Sequence, residues 1–458
     1  MRATRLLHSR PPRAAALLAA AALAVTACSS SSPSKSSTGT AGGTSATTAS
    51  SGGGKISNNS TEGVTATSIT IGTTAPLTGP AAPGYSEIAP AANAVFKWIN
   101  DQGGVYGRKI NDIIVDDAYN PATTAAKVRQ LVLQDHIFAE VGGLGTPTQS
   151  AVQGFLNTEK VPQLFVESGC DCWNDPKYPY SFGWQPPYTV EGKILGTYIK
   201  AHFAGQKVGY LYQNDDFGQG FVQGLNDVLP SSSVVSKQTY DAATLSGPLS
   251  NQVAALKAAG AQVVALATIP AATALTLLPA AAIGYKPQWV VSSVGGDPPT
   301  VAPLLSSFSK GAAGGSLLDG MISNAYIPPE SDTSNPWVQA TKKLLAKYDP
   351  GAPLDGNTEY GVALGYTFVQ ALQKAGKDLT RGALLNAIEQ QGAQFVTPGL
   401  VPLSYSPTNH YGFEGSEVVQ QHNLAYTPVS PVYQTGITGA VTQYSGTPSQ
   451  PPAALAGL

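Results

Sequence analysis

Short β-branched segments alternate with helical segments along most of this chain, and one Pro- and Tyr-rich stretch interrupts the alternation. The segment 68–79, "SITIGTTAPLTG", predicts a strand that breaks at Pro76 and Gly79. The alternation stops at 178–188, "YPYSFGWQPPY", and resumes from Glu191. Strands that alternate with helices on both sides of a break predict an α/β chain with two lobes, each a mostly parallel sheet flanked by helices.

The N-terminus has the pattern of a secretory signal, predicted over residues 1–27. Four arginines precede a short apolar block, 14–25, which is too short to span a bilayer core of about 20 residues. The block ends in "VTAC", which resembles a bacterial lipobox. We therefore predict that Cys28 is lipidated and anchors the protein at the membrane outside the cytoplasm. An ordinary signal peptide with an incidental cysteine is the alternative.

A stretch dominated by Ser, Thr and Gly follows the cysteine, and we predict a disordered linker over 28–62. Roughly 395 residues remain after it, which suits two lobes better than one core. The formal net charge is −2 and only 12% of residues are charged. No basic face is expected, so nucleic acid is excluded as a partner.

The other two cysteines, Cys170 and Cys172, are separated by one residue in "ESGCDCWND". If Cys28 is lipidated, two cysteines remain. Outside the cytoplasm an even number of cysteines favours a disulfide over free thiols. A metal site is disfavoured because no histidine lies nearby and no second cysteine pair exists.

No motif in the chain predicts a catalytic residue, a metal or a cofactor. Walker A, H-E-x-x-H and G-x-S-x-G patterns are all absent from the sequence. Gly218, Gly220 and Gly224 come near the spacing of a dinucleotide-binding loop, but the run begins five residues after Gln213. Two aspartates just before it would also repel a pyrophosphate. We therefore expect no nucleotide site and no enzyme.

Seven segments carry a family resemblance, in the order "IGTTAPLTGPAA", "INDQGGVYGRKI", "VDDAYNPATTAAKV", "AEVGGLGTPTQSA", "VPQLFVESG", "NDDFGQGF" and "EYGVALGYTFVQALQKAG". Together they resemble the extracytoplasmic solute-binding proteins of branched-chain amino acid ABC uptake, which have the type I periplasmic-binding-protein fold. The resemblance implies three crossovers between the lobes, near 184–187, 323–326 and 411–414. It places lobe 1 at 66–184 and 325–412, lobe 2 at 187–322 and 414–440, and leaves 441–458 as a loose C-terminal tail.

The resemblance also implies a binding site in the cleft between the lobes. Hydroxyls and backbone N–H groups at strand-to-helix turns would hold a ligand carboxylate, because such turns present unpaired donors and the helix dipole. Aromatic side chains would cover the ligand from both lobes. The matching residues are Thr146, Ser168 and Gly169 for the carboxylate, and Tyr85, Phe217 and Tyr360 for the aromatic cover. The alternative roles are a helix cap, a turn and simple packing.

The chain departs from the family pattern where an acidic residue often meets the ligand ammonium group. Ser293 occupies that place, and Asp297 follows four residues later. Glu167 lies in the ligand loop of the other lobe, where small residues are commoner. Asp297 and Glu167 are therefore the candidate partners of a cation.

These features predict a membrane-anchored protein that captures an amino acid, or a related amide or carboxylate, and delivers it to an ABC permease. Two other functions remain open. The same cleft could belong to a ligand sensor that signals to a receptor partner, or the chain could be a secreted α/β enzyme.

Overall fold

The computed structural model describes residues 55–458, which form two β-sheets. The strands of the first sheet are β1 (Ser68–Ala75), β2 (Lys109–Asp116), β3 (Glu140–Val141), β4 (Gln163–Val166) and β5 (Ser181–Gly183). All of them are parallel, in the order β2-β1-β3-β4-β5. The carboxyl ends of these strands therefore lie at one edge, where open α/β sheets bind ligands.

The second sheet contains the remaining strands. They are β6 (Val208–Gln213), β7 (Val234–Tyr240), β8 (Val263–Ala267), β9 (Gln288–Val291), β10 (Ile322–Ala325), β11 (Gly415–His422), β12 (Ala425–Pro428), β13 (Tyr433–Gln434) and β14 (Thr442–Gln443). The strands from β7 through β6, β8 and β9 to β10 are parallel. Antiparallel strands from β11 onward complete the sheet.

Helices connect and cover the strands. They are α1 (Ala82–Tyr85), α2 (Ile88–Asp101), α3 (Pro121–Leu133), α4 (Thr146–Thr158), α5 (Tyr188–His202), α6 (Asp216–Val228), α7 (Ser250–Ala258), α8 (Pro270–Ala282), α9 (Ser293–Gly296), α10 (Pro298–Phe308), α11 (Pro336–Tyr348), α12 (Gly356–Ala375), α13 (Arg381–Gln391) and α14 (Ala453–Ala456). The predicted α/β class with two mostly parallel sheets is confirmed.

The chain crosses between the two sheets three times before β11 is complete. After β5 it enters α5, which packs against α6 and β11 of the second lobe. After β10 it returns to α11 and α12, which pack against α2 of the first lobe. Ser323 belongs to β10, so this second crossover starts later than predicted. The third crossover leads from a hairpin beside β5, where Gly183 N donates to His410 O (3.0 Å), into β11.

Helices α5 and α6 approach each other closely because glycines lie at their contact. A Cβ atom on Gly224 would overlap the carbonyl oxygen of Thr189, and one on Gly192 would overlap that of Phe221. Gly224 therefore serves helix packing, which accounts for part of the glycine run that came near a dinucleotide pattern.

The C-terminal tail is not loose, so this prediction is wrong. Strand β14 pairs with β13 of the second lobe, and the chain then runs back to the first lobe. There the indole of Trp337 donates to Ser449 O (2.7 Å), and α14 packs on α11 with Leu455 only 1% exposed. The tail lacks a hydrophobic periodicity, but Leu455 is buried where α14 packs on α11.

The predicted disorder of the linker is also wrong for its last residues, 55–62. Ile56 N donates to Asn386 Oδ1 (2.9 Å), and Asn386 Nδ2 donates back to Ile56 O (2.9 Å). The Glu62 carboxylate forms an ion pair with Arg381 (3.2 Å). These contacts fix the segment on α13. The rest of the predicted linker, the signal peptide and Cys28 lie outside the described residues.

Candidate ligand-binding cleft

A cavity lies between the two lobes, with an empty volume of about 970 Å³ including its open part. It adjoins the carboxyl ends of β4, β9 and β10, as expected for parallel sheets. Both lobes contribute side chains to its wall. Six residues singled out from the sequence line it: Tyr85, Glu167, Phe217, Ser293, Asp297 and Tyr360.

Hydrogen bonds connect the two lobes around this cavity. They are Tyr85 Oη to Val294 O (2.9 Å), Gln213 Nε2 to Tyr119 Oη (3.3 Å), Gly356 N to Asp297 Oδ1 (3.2 Å) and Asn357 Nδ2 to Thr300 Oγ1 (2.9 Å). The lobes therefore adopt a closed arrangement, in which groups from both can contact one small solute at the same time.

Aspartate caps start three helices whose first turn or cap residue lines the cavity. Asp215 accepts the N–H of Phe217 (3.1 Å) at the start of α6. Asp297 accepts the N–H of Thr300 (3.0 Å) at the start of α10. Asp355 forms a capping box with Thr358 at the start of α12. Such caps fix where a helix begins, and therefore where its first side chains lie.

Phe217 does not lie in an exposed loop, although acidic neighbours and a glycine in the sequence suggested one. It is the second residue of α6 and only 1% exposed. Its ring packs against Tyr188, with the ring centroids 4.5 Å apart. Phe217 thus supports the cavity wall as part of the core of the second lobe.

Tyr360 lies on the opposite side, in the first lobe. Its ring packs edge-on against Trp184 at 4.7 Å, and its hydroxyl donates to Gln185 Oε1 (3.2 Å). The neighbouring residues of the first crossover therefore hold this ring. Burial raises the pKa of Tyr360 well above its ordinary value, so the hydroxyl stays protonated.

The three residues expected to hold a carboxylate are not on the cavity wall. The hydroxyls of Thr146 and Ser168 hydrogen-bond each other (2.7 Å) and are buried. Tyr188, which does line the cavity, reaches Thr146 Oγ1 (3.4 Å) with its hydroxyl, and its N–H donates to Gly169 O (2.6 Å). This trio therefore contacts and positions Tyr188 in the closed arrangement.

Ser293 has a carboxylate partner that the sequence did not reveal. Its hydroxyl donates to Glu191 Oε1, and its N–H donates to Asn324 Oδ1 (3.1 Å). Glu191 is fully buried on α5, and burial raises its pKa to about 7. Its Oε2 has no hydrogen-bond partner among residues 55–458. Ser293 on the cavity wall is thus hydrogen-bonded to a carboxyl group that is buried behind it on another helix.

Two further carboxylates on the wall, Glu330 and Glu359, were also missed. Burial and nearby Asp297 raise the pKa of Glu330 to about 8. Burial and nearby Glu330 raise the pKa of Glu359 well above its ordinary value. Burial, with the charge of Glu140, raises the pKa of Glu167 in the same direction. Asp297 itself accepts bonds from Thr300 and Gly356, and burial raises its pKa to about 6.

The charges on the wall all have one sign. None of the described residues lining the cavity is Lys, Arg or His. Within the described ranges no three His, Cys, Asp or Glu side chains converge as metal ligands.

The sequence indicated the missed cavity residues only indirectly, because each lies next to a predicted site residue or a predicted crossover. Glu359 directly precedes Tyr360, and Glu330 follows the second crossover by a few residues. Tyr188 and Glu191 follow the first crossover in the same way. Residues just beyond a crossover face the cleft in a two-lobed protein, so this position was the available signal.

Cys170 and Cys172 form a disulfide in the structure, close to the loop that holds Ser168. Asp171 between them accepts a hydrogen bond from Thr189 Oγ1 of the second lobe (2.6 Å). Its carbonyl accepts one from the Tyr411 hydroxyl (2.8 Å). The disulfide loop, which follows β4 of the first lobe, therefore contacts residues at the first and third crossovers.

The chain belongs to the periplasmic binding protein family, because a sequence model of that family matches residues 68–423. This confirms the predicted resemblance, and the family is one of solute-binding proteins. Leu/Ile/Val-binding protein homolog 1 of Brucella abortus (strain 2308) is 26% identical over 324 residues, which are 68% of this chain and 79% of that protein.

Solved structures confirm the predicted type I periplasmic-binding-protein fold. A branched chain amino acid ABC transporter protein from Thermus thermophilus with bound valine has a TM-score of 0.68 at 20% identity, over 81% of this chain and 97% of that one. A fatty acid ABC transporter substrate-binding protein from Thermomonospora curvata has a TM-score of 0.69 at 21% identity, over 82% of this chain and 94% of that one. Their names specify different ligands, so the shared fold does not identify the ligand here.

None of the helices within residues 55–458 combines the length and the apolar character needed to cross a membrane.

Proposed function

We propose that this protein captures a small, amino-acid-like solute in the cleft and delivers it to an ABC importer. In this proposal the chain is tethered outside the cytoplasm through lipidated Cys28. The observation that carries the proposal is the cavity enclosed by both lobes and bounded by cross-lobe hydrogen bonds. Family membership supports the same function.

The mechanism follows from contacts that exist only when the lobes are closed. Tyr85 on the first lobe bonds Val294 on the second, and Asn357 bonds Thr300 across the same cleft. A solute that contacts both lobes is bound more tightly by the closed form. Binding therefore shifts the population toward closure, and the permease can distinguish loaded from unloaded protein.

The test begins with the full-length protein purified from its own cells. Small molecules released on denaturation are identified by mass spectrometry, and binding is then measured by calorimetry. Small-angle scattering should show a smaller radius of gyration on binding. In intact cells, uptake of the same solute should be lost on deletion of the gene and restored by the wild-type copy.

A matched pair of variants tests the role of closure. Tyr85→Phe keeps the ring and removes the hydroxyl that bonds Val294 O, so affinity should fall about 5-fold, as for one hydrogen bond of about 1 kcal/mol. Tyr106→Phe removes an exposed hydroxyl bonded to Gln373 O within the first lobe, and affinity should not change. Solute binding with no compaction, and no dependence on Tyr85, would contradict the proposed closure.

A further inference from the structure

The cleft cavity has a strongly acidic wall. Its four lining carboxylates are Glu167, Asp297, Glu330 and Glu359, and no basic residue in the described part of the chain lines it. Glu191 adds a fifth carboxyl group directly behind Ser293. Buried charges in proteins are normally paired. The carboxylates of this wall have no positively charged partner among the other described residues of the wall. A cationic ligand can supply that positive charge.

The unpaired carboxylate of Glu359 is a second indication of a ligand, and it does not depend on how many acidic residues line the cavity. It lies in the first turn of α12, is 5% exposed and lines the cavity. Neither of its carboxylate oxygens has a hydrogen-bond partner within residues 55–458. An ionised carboxylate without a donor is costly in such a place, whereas an ammonium group in the cavity would give it both a charge and a donor.

The carboxylates occupy two separate places in the cavity. Glu167 follows β4 in the first lobe, and its acidic neighbour is Glu140. Glu359 has Glu330, Asp297 and Asp355 among its acidic neighbours, and Asp297 accepts the N–H of Gly356 at the start of α12. The two sets share no member, so positive charge is favoured at two points rather than one.

An anionic group is disfavoured where an amino acid would place its carboxylate. The hydroxyls of Thr146 and Ser168 bond each other and are covered by Tyr188. Glu167, whose backbone carbonyl accepts the N–H of Gly145 (3.2 Å), lines the wall beside this loop. An ionised Glu167 would repel a ligand carboxylate at this position. A ligand that carries amines but no carboxylate meets neither obstacle.

Aromatic rings form much of the remaining wall. They belong to Tyr85, Tyr119, Tyr188, Phe217, Tyr326, Tyr360 and Tyr426. The faces of such rings attract ammonium groups, and their apolar area accepts the methylene chain between them. Acidic groups at two places, together with aromatic surface on the same cavity wall, match a flexible chain with a cation at each end.

We propose that the cleft binds a linear diamine or polyamine, with one ammonium group near Glu167 and another among Asp297, Glu330 and Glu359. This inference rests on the proposed function of the cleft as a solute-binding site, and it changes the proposed class of solute from an amino acid to an amine without a carboxylate. Valine, leucine and fatty acids are excluded as the main ligands by the same reasoning.

The test is calorimetry on the full-length protein, freed of any copurified molecule, with putrescine, cadaverine and spermidine. Butylamine is the matched monoamine, and lysine, leucine and a fatty acid complete the panel. At least one diamine or polyamine should bind, with butylamine at least about 10-fold weaker because it loses one charged pair. Glu359→Gln and Glu167→Gln should each weaken diamine binding by about 10-fold or more.

Glu159→Gln is the control, since Glu159 is an exposed carboxylate at the end of α4 and its loss changes the net charge equally. Thermal unfolding of each variant shows whether it folds. Binding of leucine or lysine without diamine binding would overturn this inference and leave the proposed function standing. Binding of the fatty acid alone would overturn this inference and the amino-acid-like solute of the proposed function. Equal weakening by Glu159→Gln would also overturn it. If nothing in the panel binds and no small molecule copurifies, both the inference and the proposed function fail.

Discussion

Replacing Glu330 by glutamine should stabilise the ligand-free protein, increasingly so as the pH rises. Glu330 is 8% exposed, and burial next to Asp297 and Asp355 raises its pKa from the usual 4.5 to about 8. Glu359 on α12 and Tyr426 on β12 also face it and offer no positive charge. Between those two pH values the folded protein holds a proton that the unfolded chain has released. Wild-type stability therefore falls as the pH rises through this window.

The magnitude follows from the two pKa values. At about 1.4 kcal/mol per pH unit, the Glu330 proton lowers the free energy of unfolding by about 3 kcal/mol at pH 7. Glutamine has the same shape and takes up no proton on folding, so the variant does not have this loss of stability. The gain should be near zero at pH 4, about 3 kcal/mol at pH 7, and larger above pH 8. For a chain of this size it corresponds to a rise in Tm of roughly 3 °C at pH 7.

The assay is urea unfolding of both proteins, freed of ligand, at a series of pH values from 4 to 9. Glu159→Gln serves as the exposed control and should show no such trend. A Glu330→Gln variant that is less stable at pH 7, or whose advantage does not change with pH, would refute the assigned burial and charge environment. The same variant should bind diamines more weakly, because glutamine cannot ionise and so cannot offer an ammonium group the negative charge that Glu330 can.

Phe217→Ala should lower the free energy of unfolding by about 3 to 5 kcal/mol, the usual cost of removing a buried phenylalanine, whereas Phe308→Ala on the surface should change it little in the same urea assay. Leu455→Ala should cost about 2 kcal/mol and make the C-terminal residues sensitive to carboxypeptidase; an unchanged midpoint and a resistant tail would contradict its docking on α11. Cys28→Ser should move the protein from the detergent phase to the aqueous phase in a phase-partition assay, whereas Ser29→Ala should not, and detergent partition of the Cys28 variant would rule out this anchor.

The fold class was predictable because its signals are local. β-Branched strands such as β1 and amphipathic helices such as α2 carry their periodicity within a dozen residues. The break after β5 showed where the chain changes lobes. The tail was not predictable, because its structure depends on one leucine and on an indole N–H that lies far away in the sequence.

The candidate site was predictable only in part. Tyr85, Tyr360 and Phe217 line the cavity where the family pattern suggested, although Phe217 does so from within the core. Thr146 and Ser168 matched the same pattern but lie behind Tyr188. A motif locates a residue along the chain, whereas the next side chain in space decides whether that residue reaches the ligand.

The sequence by itself determined that this chain has two α/β lobes of the periplasmic binding protein family, because the hydrophobic periodicity and the order of the motifs are properties of the linear sequence. Only the tertiary structure brought Glu191 to Ser293, and Glu330 and Glu359 to Asp297. These carboxyl groups come from segments far apart in the sequence, and each is unremarkable on its own helix or loop. Their charge acts through space in a buried cavity, so the acidity of the cleft arises only when the lobes fold and close.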